Sequence, residues 1–189
     1  MSDRGRFAAI LDANVLYSAA QRDLLMELAV APLYHARWTE RIEQEFVKAI
    51  LKNRPDLSAE TLAYTITCMR KAVDDCLIAD YEWAEEGLNL PDPDDHHVLA
   101  AAVAGQCDVI VTNNLKDFPA KSLPRGIAAL SPDDFILNLH DLAPRRIEAA
   151  VLAVVDRGDN RTIERVLATY ENQGLVKTVN ALRKSDNLW

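Results

Sequence analysis

Two short apolar runs constrain this chain more than any other feature: FAAIL at Phe7–Leu11 and DVIVT at Asp108–Thr112. Both are apolar almost without interruption rather than alternating. A strand buried on both faces reads this way, and such strands belong to parallel sheets covered by helices. DVIVT is also β-branched and bounded by polar residues, which suits a strand and little else. Leu33–Tyr34, CLIA (Cys76–Ala79) and IAAL (Ile127–Leu130) are weaker strand candidates.

Helical spacing fills the intervals. Val15, Leu16, Leu24, Leu25 and Leu28 predict helix up to Pro32. Thr39 reads as an N-cap ahead of the stripe Ile42, Phe46, Val47, Ile50 and Leu51, which Pro55 stops. Ser58 caps a further stretch with Leu62, Ile66, Met69 and Val73 on one face. HHVLAAAVAG is strongly helical and stops at Gly105. SPDDFI combines an N-cap at Ser131, Pro132 at the first helical position and two acids in the first turn. Strands alternating with helices predict an α/β domain with a mainly parallel sheet between helices.

After Pro144 the pattern becomes purely helical, in three segments separated by Gly158 and Gly174. The expected organisation is therefore an α/β domain at 1–143 and a small all-α extension at 144–189. Charge changes at the same place. The whole chain carries −8, but residues 1–144 hold 13 basic and 23 acidic side chains, and residues 145–189 hold 8 and 6. In the basic tail, Arg157, Arg161 and Arg165 would share one helical face if the helix were continuous there, and Gly158 interrupts it. That face reads either as a surface for RNA or a partner protein, or as ordinary solvated charge.

A net charge of −8 counts against a passive nucleic-acid-binding module, which is usually basic. It counts less against a nuclease that holds divalent cations, because the metal supplies positive charge where phosphate sits. The cysteines Cys68, Cys76 and Cys107 form no C-x-x-C pair and read as reduced, mostly buried thiols. The apolar stretch at Phe7–Leu11 is too short for a secretion signal, and no run approaches the ~18 residues of a membrane span. A cytoplasmic protein with no membrane partner is expected.

Ligands of open parallel α/β sheets sit beyond the carboxyl ends of the strands. Asp12 directly follows FAAIL. Thr112, Asn113 and Asn114 end or follow DVIVT, with Asp117 close behind. LPDPDD places Asp92, Asp94 and Asp95 at the start of a helix, and Glu45 lies beside the stripe of the helix capped by Thr39. Two carboxylates 4 Å apart repel by about 4 kcal/mol at an effective dielectric of 20. Several together need a cation, and all-oxygen ligands select a hard one such as Mg²⁺ or Mn²⁺. Such an ion activates water and stabilises a leaving oxygen, which suits phosphodiester hydrolysis. Each acid also has an ordinary explanation. Asp12 can cap a helix, Glu45 can be a solvated helix acid, Asp94 and Asp95 suit a helix start, and Asp117 suits a turn. His96 and His97 are expected to be exposed or loosely held, Trp38 and Trp83 to be packing residues, and Lys116 to be solvated.

Taken in order, LDANVL, an acid on the second long helix, DPDDHHVLAAAV and VIVTNNLKDFP resemble the PIN-domain pattern over roughly residues 7–137. The resemblance implies a Rossmann-like sandwich and a metal-dependent ribonuclease, of which many bacterial examples are VapC-like toxins neutralised by an antitoxin protein. It implies Asp12, Glu45, Asp95 and Asp117 as catalytic acids, with Asp94 adjacent to the third. Asp12, Asp95 and Asp117 would hold the metal directly, and Glu45 directly or through water. Asn14 would orient the first acid, and Thr112 would supply a hydroxyl beside the site. Asn114 stands where many PIN domains carry an acid, which favours one tightly bound ion over two. The basic tail resembles the extra helical domain of one VapC-like subgroup. An RNA substrate, an antitoxin partner and a homodimer are the expected associations.

Two rival readings follow from the same residues. A haloacid-dehalogenase-type phosphohydrolase would want an acid two residues after Asp12, where Asn14 stands. A non-catalytic PIN scaffold binding RNA or protein would not need acids at all four positions.

Overall fold

The computed structural model describes residues 7–158, 161–185 and 188. The polar start of the N-terminal segment, residues 1–6, lies outside them. Strands are β1 (Ala8–Leu11), β2 (His35–Arg37), β3 (Val109–Val111) and β4 (Ala128–Leu130). Helices of the first half are α1 (Ala13–Leu16), α2 (Ala19–Val30), α3 (Glu40–Asn53), α4 (Ala59–Ala72) and α5 (His96–Ala104). Those that follow β4 are α6 (Pro132–Leu142), α7 (Pro144–Asp156), α8 (Ile163–Asn172) and α9 (Val176–Leu182).

The sheet is four-stranded and wholly parallel, in the order β2-β1-β3-β4. β1 is buried at every position and pairs Ile10 with Ile110 and Leu11 with Val111. The chain first steps from β1 outward to β2, then returns to the other side of β1 for β3 and β4. The order therefore reverses between β1 and β3, and the crevice beyond their carboxyl ends is where such sheets bind ligands. Asp12 and Thr112 are the first residues past those two ends.

The helices form for the local reasons expected. The Thr39 hydroxyl accepts the Ile42 N–H at 3.1 Å, Glu40 and Glu43 lie in the first turn of α3, and Lys52 lies in the last. Ile42, Phe46 and Ile50 bury the inner stripe. In α5 the residues from His97 to Ala102 are all buried, because this helix packs against the sheet with small side chains. Gly105 ends it, and a Cβ there would meet Ile78 Cδ1 at 2.5 Å, so any larger residue would displace the Ile78 side chain.

Several expectations are corrected. The strand expected at Leu33–Tyr34 begins at His35 instead. Tyr34 is apolar for packing, its hydroxyl donating to Leu25 O at 3.0 Å and its ring meeting Phe135 edge-on. CLIA is no strand. It makes one parallel bridge, Trp38 to Leu77, between left-handed residues Asp75 and Asp80 that bend the chain on either side. Trp38 is fully buried as expected, but Trp83 is 69% exposed. Cys76 and Cys107 are buried and Cys68 is exposed, all as free thiols.

The helices after Pro144 pack back onto the sheet domain. Arg146 Nη2 donates to the carbonyl of Ala31, and Arg157 pairs with Glu27 at 2.7 Å, joining α7 to α2. The arginine stripe is not on one helix. α7 ends at Asp156 and α8 starts at Ile163, so Arg157 closes one helix, Arg161 lies in the connection and Arg165 opens the next.

Candidate active site

Asp12 sits at the N-cap position of α1, yet its side chain makes no capping bond to that helix. It turns instead across the crevice. The Thr112 hydroxyl donates to Asp12 Oδ2 at 2.7 Å, and the Asn14 amide donates to the same oxygen at 2.5 Å and to Thr112 Oγ1 at 3.0 Å. Asn14 is itself held by Asn113, whose backbone N–H donates to Asn14 Oδ1 at 2.9 Å. Asn114 N–H donates to Thr112 Oγ1 at 2.9 Å, and its amide donates to Asp117 Oδ2. The ends of β1 and β3 are thus stitched by one network through Asp12, Asn14, Thr112, Asn114 and Asp117.

The turn before α5 brings the remaining acids. Asp92 accepts the Asp94 N–H at 2.9 Å and opens a short 3-10 turn, Pro93–Asp95, that leads into α5. One carboxylate oxygen from each of Asp92, Asp95 and Asp117 lies within 4.8 Å of the others. Asp94 is exposed and is not among these three. Asp12 is not one of these three, and Thr112 and Asn14 hold its Oδ2. Asp92, which the sequence reading placed in the turn but not in the site, takes the third position in the tightest grouping. Its signal was present in the LPDPDD turn, where any of three aspartates at the helix start satisfies the same local pattern.

Glu45 reaches the same cleft from α3. Asp12, Asn14, Tyr17, Glu45 and Asp95 line a cleft of about 490 Å³. Glu45 Oε1 accepts from Arg41 Nε at 3.2 Å and lies 3.1 Å from His97 Nε2. His97 is only 2% exposed, contrary to the expectation of a loosely held surface residue. It is the first buried residue of α5, so its ring lies under the acids, and no sequence spacing distinguishes it from His96. His96 accepts the Leu90 N–H at 3.3 Å and fixes the loop leading to the turn. A second acid of α3, Glu43, is buried too, but Trp38 Nε1 at 2.8 Å and Arg70 at 2.5 Å satisfy it away from the cleft.

The electrostatics follow from this crowding. Asp95 is pushed up to about 6, first by burial and then by the charges of Asp12, Asp92 and Asp117, with His97 opposing. Asp12 is also raised, chiefly by burial. The Thr112 hydroxyl and the neighbouring Ala13 backbone oppose that shift, and Glu45 adds to it. For Glu45, burial acts upward, but His97 and Arg41 together outweigh it and hold the carboxyl below its ordinary value. Crowded carboxylates with raised proton affinity are the condition that a divalent cation relieves. The donors are all oxygens, which fits a hard ion, and Asp92, Asp95 and Asp117 are spaced to share one.

A parallel sheet with acids gathered at its switch point defines the class to which this chain belongs, and sequence comparison agrees. A family model described as "PIN domain" matches residues 8–116, more than half of the chain. The chain belongs to the PIN-domain family. A second model, "VapC50 C-terminal domain", matches residues 132–184, from α6 through α9. Among known proteins, the chain is 52% identical over 63 residues to "Putative ribonuclease VapC50" of Mycobacterium tuberculosis (strain ATCC 25618 / H37Rv). That match spans 33% of this chain and 37% of the relative. No solved structure gives a significant match. Among the described residues, no helix is long and apolar enough to cross a membrane.

Proposed function

We propose that this protein is a metal-dependent endoribonuclease and the toxin of a toxin–antitoxin pair, acting in the cytoplasm. The observation that carries the reading is the convergence of Asp12 from the end of β1, Asp95 from the turn before α5 and Asp117 from the loop after β3. Membership of the PIN family and the likeness to a protein described as a ribonuclease support the RNA substrate. The toxin role and the antitoxin partner rest on the same likeness, and the division at 143/144 into catalytic and helical parts is offered with it.

Asp92, Asp95 and Asp117 would hold Mg²⁺ or Mn²⁺, with Asp12 beside them. When bound, the cation polarises a phosphoryl oxygen and lowers the pKa of water. The chain's own residues do the rest. Thr112 and Asn14 fix the rotamer of Asp12, so its carboxylate faces the cleft without searching. Glu45, kept ionised by His97 and Arg41, accepts a proton from an attacking water or orients that water from the α3 side. The phosphodiester spans between Glu45 and the aspartates, across the cleft they line.

The test is RNA cleavage by the purified protein with Mn²⁺, with EDTA, and with the Asp12→Asn variant. Cleavage that EDTA stops and Asp12→Asn lowers at least 100-fold is expected. Cleavage indifferent to EDTA overturns the metal-dependent reading. Metal-independent binding with no cleavage of any RNA identifies a scaffold instead.

A further inference from the structure

A second cavity lies on the other side of the α1–α2 junction. It has a volume of about 410 Å³ and is walled by α2, the end of α7 and α8. Its polar lining is Asp23, Arg161, Arg165, Thr169 and Tyr170, and Ala20, Val154 and Val166 supply apolar wall. The Tyr170 hydroxyl is buried and has no hydrogen-bond partner among the described residues. An unmatched buried hydroxyl is costly, and a ligand oxygen would match it. Arg161 and Arg165 bring two guanidiniums to this lining and Asp23 brings one carboxylate. Arg161 places one N–H on the Val154 carbonyl at 3.3 Å, which fixes the guanidinium at the rim.

The position of the cavity gives it meaning. Tyr17 lines the acidic cleft and Ala19 lines this cavity, so a single residue, Ser18, separates the two sites along the chain. The two steps from Tyr17 to Ala19 span at most about 7 Å. An RNA strand whose scissile phosphate sits among carboxylates needs cationic contacts for its neighbouring phosphates, since backbone contacts set affinity and position. We propose that the α2–α7–α8 cavity binds a phosphodiester flanking the scissile bond: Arg161 and Arg165 hold the phosphate, the apolar wall takes the adjoining ribose or base, and Asp23 accepts from its polar edge. The helical extension would then complete the substrate groove. This rests on the ribonuclease reading, and it assigns the cavity to the strand rather than to a free nucleotide.

The experiment measures binding, so it does not depend on cleavage. Affinity of the Asp12→Asn protein for a labelled single-stranded RNA is compared with that of Arg161→Gln, Arg165→Gln and Tyr170→Phe made in the same background. Lys184→Gln is the control for an equal change of charge at an exposed site. Each arginine change should weaken RNA binding about tenfold and lower the slope of log affinity against log salt by roughly 0.7, the single-strand value for one phosphate contact. Tyr170→Phe, which keeps the ring and so the fold, should weaken it about threefold, and Lys184→Gln should leave it unchanged. Equal affinity in the arginine variants and the control overturns the proposal, as does wild-type protein that binds no RNA. Uridine monophosphate is titrated in parallel. Loss of nucleotide binding without loss of RNA binding assigns the cavity to a free nucleotide and overturns the strand subsite. Loss of RNA binding in the arginine variants of a protein whose wild type cuts no RNA sinks the nuclease reading and, with it, the flanking position assigned to this phosphodiester.

Discussion

At the scale of single residues, Asp95 and His97 show how burial converts common side chains into specialised ones. Asp95 keeps its proton to about pH 6 in the folded protein and to 3.8 in the unfolded chain. Between those values the folded state binds the extra proton, so the stability of the metal-free protein falls as pH rises from about 4 to 6 and then levels. A divalent cation competes with that same proton. Mn²⁺ affinity, followed by calorimetry, should weaken about tenfold per pH unit below 6 and be flat above 7, and Asp95→Asn should remove most of this dependence. His97 acts differently, since it touches Glu45 and not the expected place of the phosphate. Losing its N–H frees the Glu45 carboxylate to rotate, so His97→Ala should lower kcat about tenfold with KM for RNA unchanged. His97→Gln, whose amide can still donate, should recover part of the loss. A rise in KM equal to the fall in kcat would instead make His97 a substrate contact.

At the scale of elements, the legible parts were those written in local chemistry. Thr39, Ser58 and Ser131 accept backbone N–H bonds where a cap was expected, and Gly105 ends α5. β1 and β3 stood out because both are buried on two faces. What stayed hidden was set by distant partners. Nothing near CLIA reveals that Asp75 and Asp80 turn the chain after a single bridge. Nothing in LPDPDD separates Asp92 and Asp95, which face Asp117, from Asp94, which faces solvent. Asp133 is a further case. Its place in the first turn of α6 suggested a favourable charge for that helix, but its carboxylate accepts the Lys177 N–H at 2.9 Å and the Thr178 N–H at 2.8 Å. It caps α9 from another helix, where Leu175 at the N-cap position has no capping side chain. Asp133→Ala should therefore cost about 1–3 kcal/mol in urea unfolding. The loss of hydrogen-exchange protection should centre on α9 rather than α6, and protection lost first in α6 would refute this assignment.

At the scale of the whole molecule, charge is distributed against its own stability. The chain carries −8, and several of its carboxylates meet at one place beside the sheet's switch point rather than spreading over the surface. Asp92, Asp95 and Asp117 gain nothing from each other in the folded state except as ligands, and the packed strands beneath hold them together. Such a cluster makes the folded protein a binding site that the unfolded chain lacks, so cation binding must appear as stability. At a concentration of Mn²⁺ about 100 times its dissociation constant the gain is about 2.7 kcal/mol. For a domain of this size each kcal/mol moves the melting temperature by about 2–4 °C. Thermal unfolding should therefore shift upward by about 5–10 °C on adding Mn²⁺ and return on adding EDTA. The Asp95→Asn, Asp117→Asn double variant discriminates the cause. Relieved of like-charge repulsion, it should melt above wild type in EDTA, and Mn²⁺ should move it little. If the double variant instead gains as much from Mn²⁺ as wild type does, the ion acts elsewhere on the acidic surface, and the convergence of these carboxylates needs an explanation other than metal.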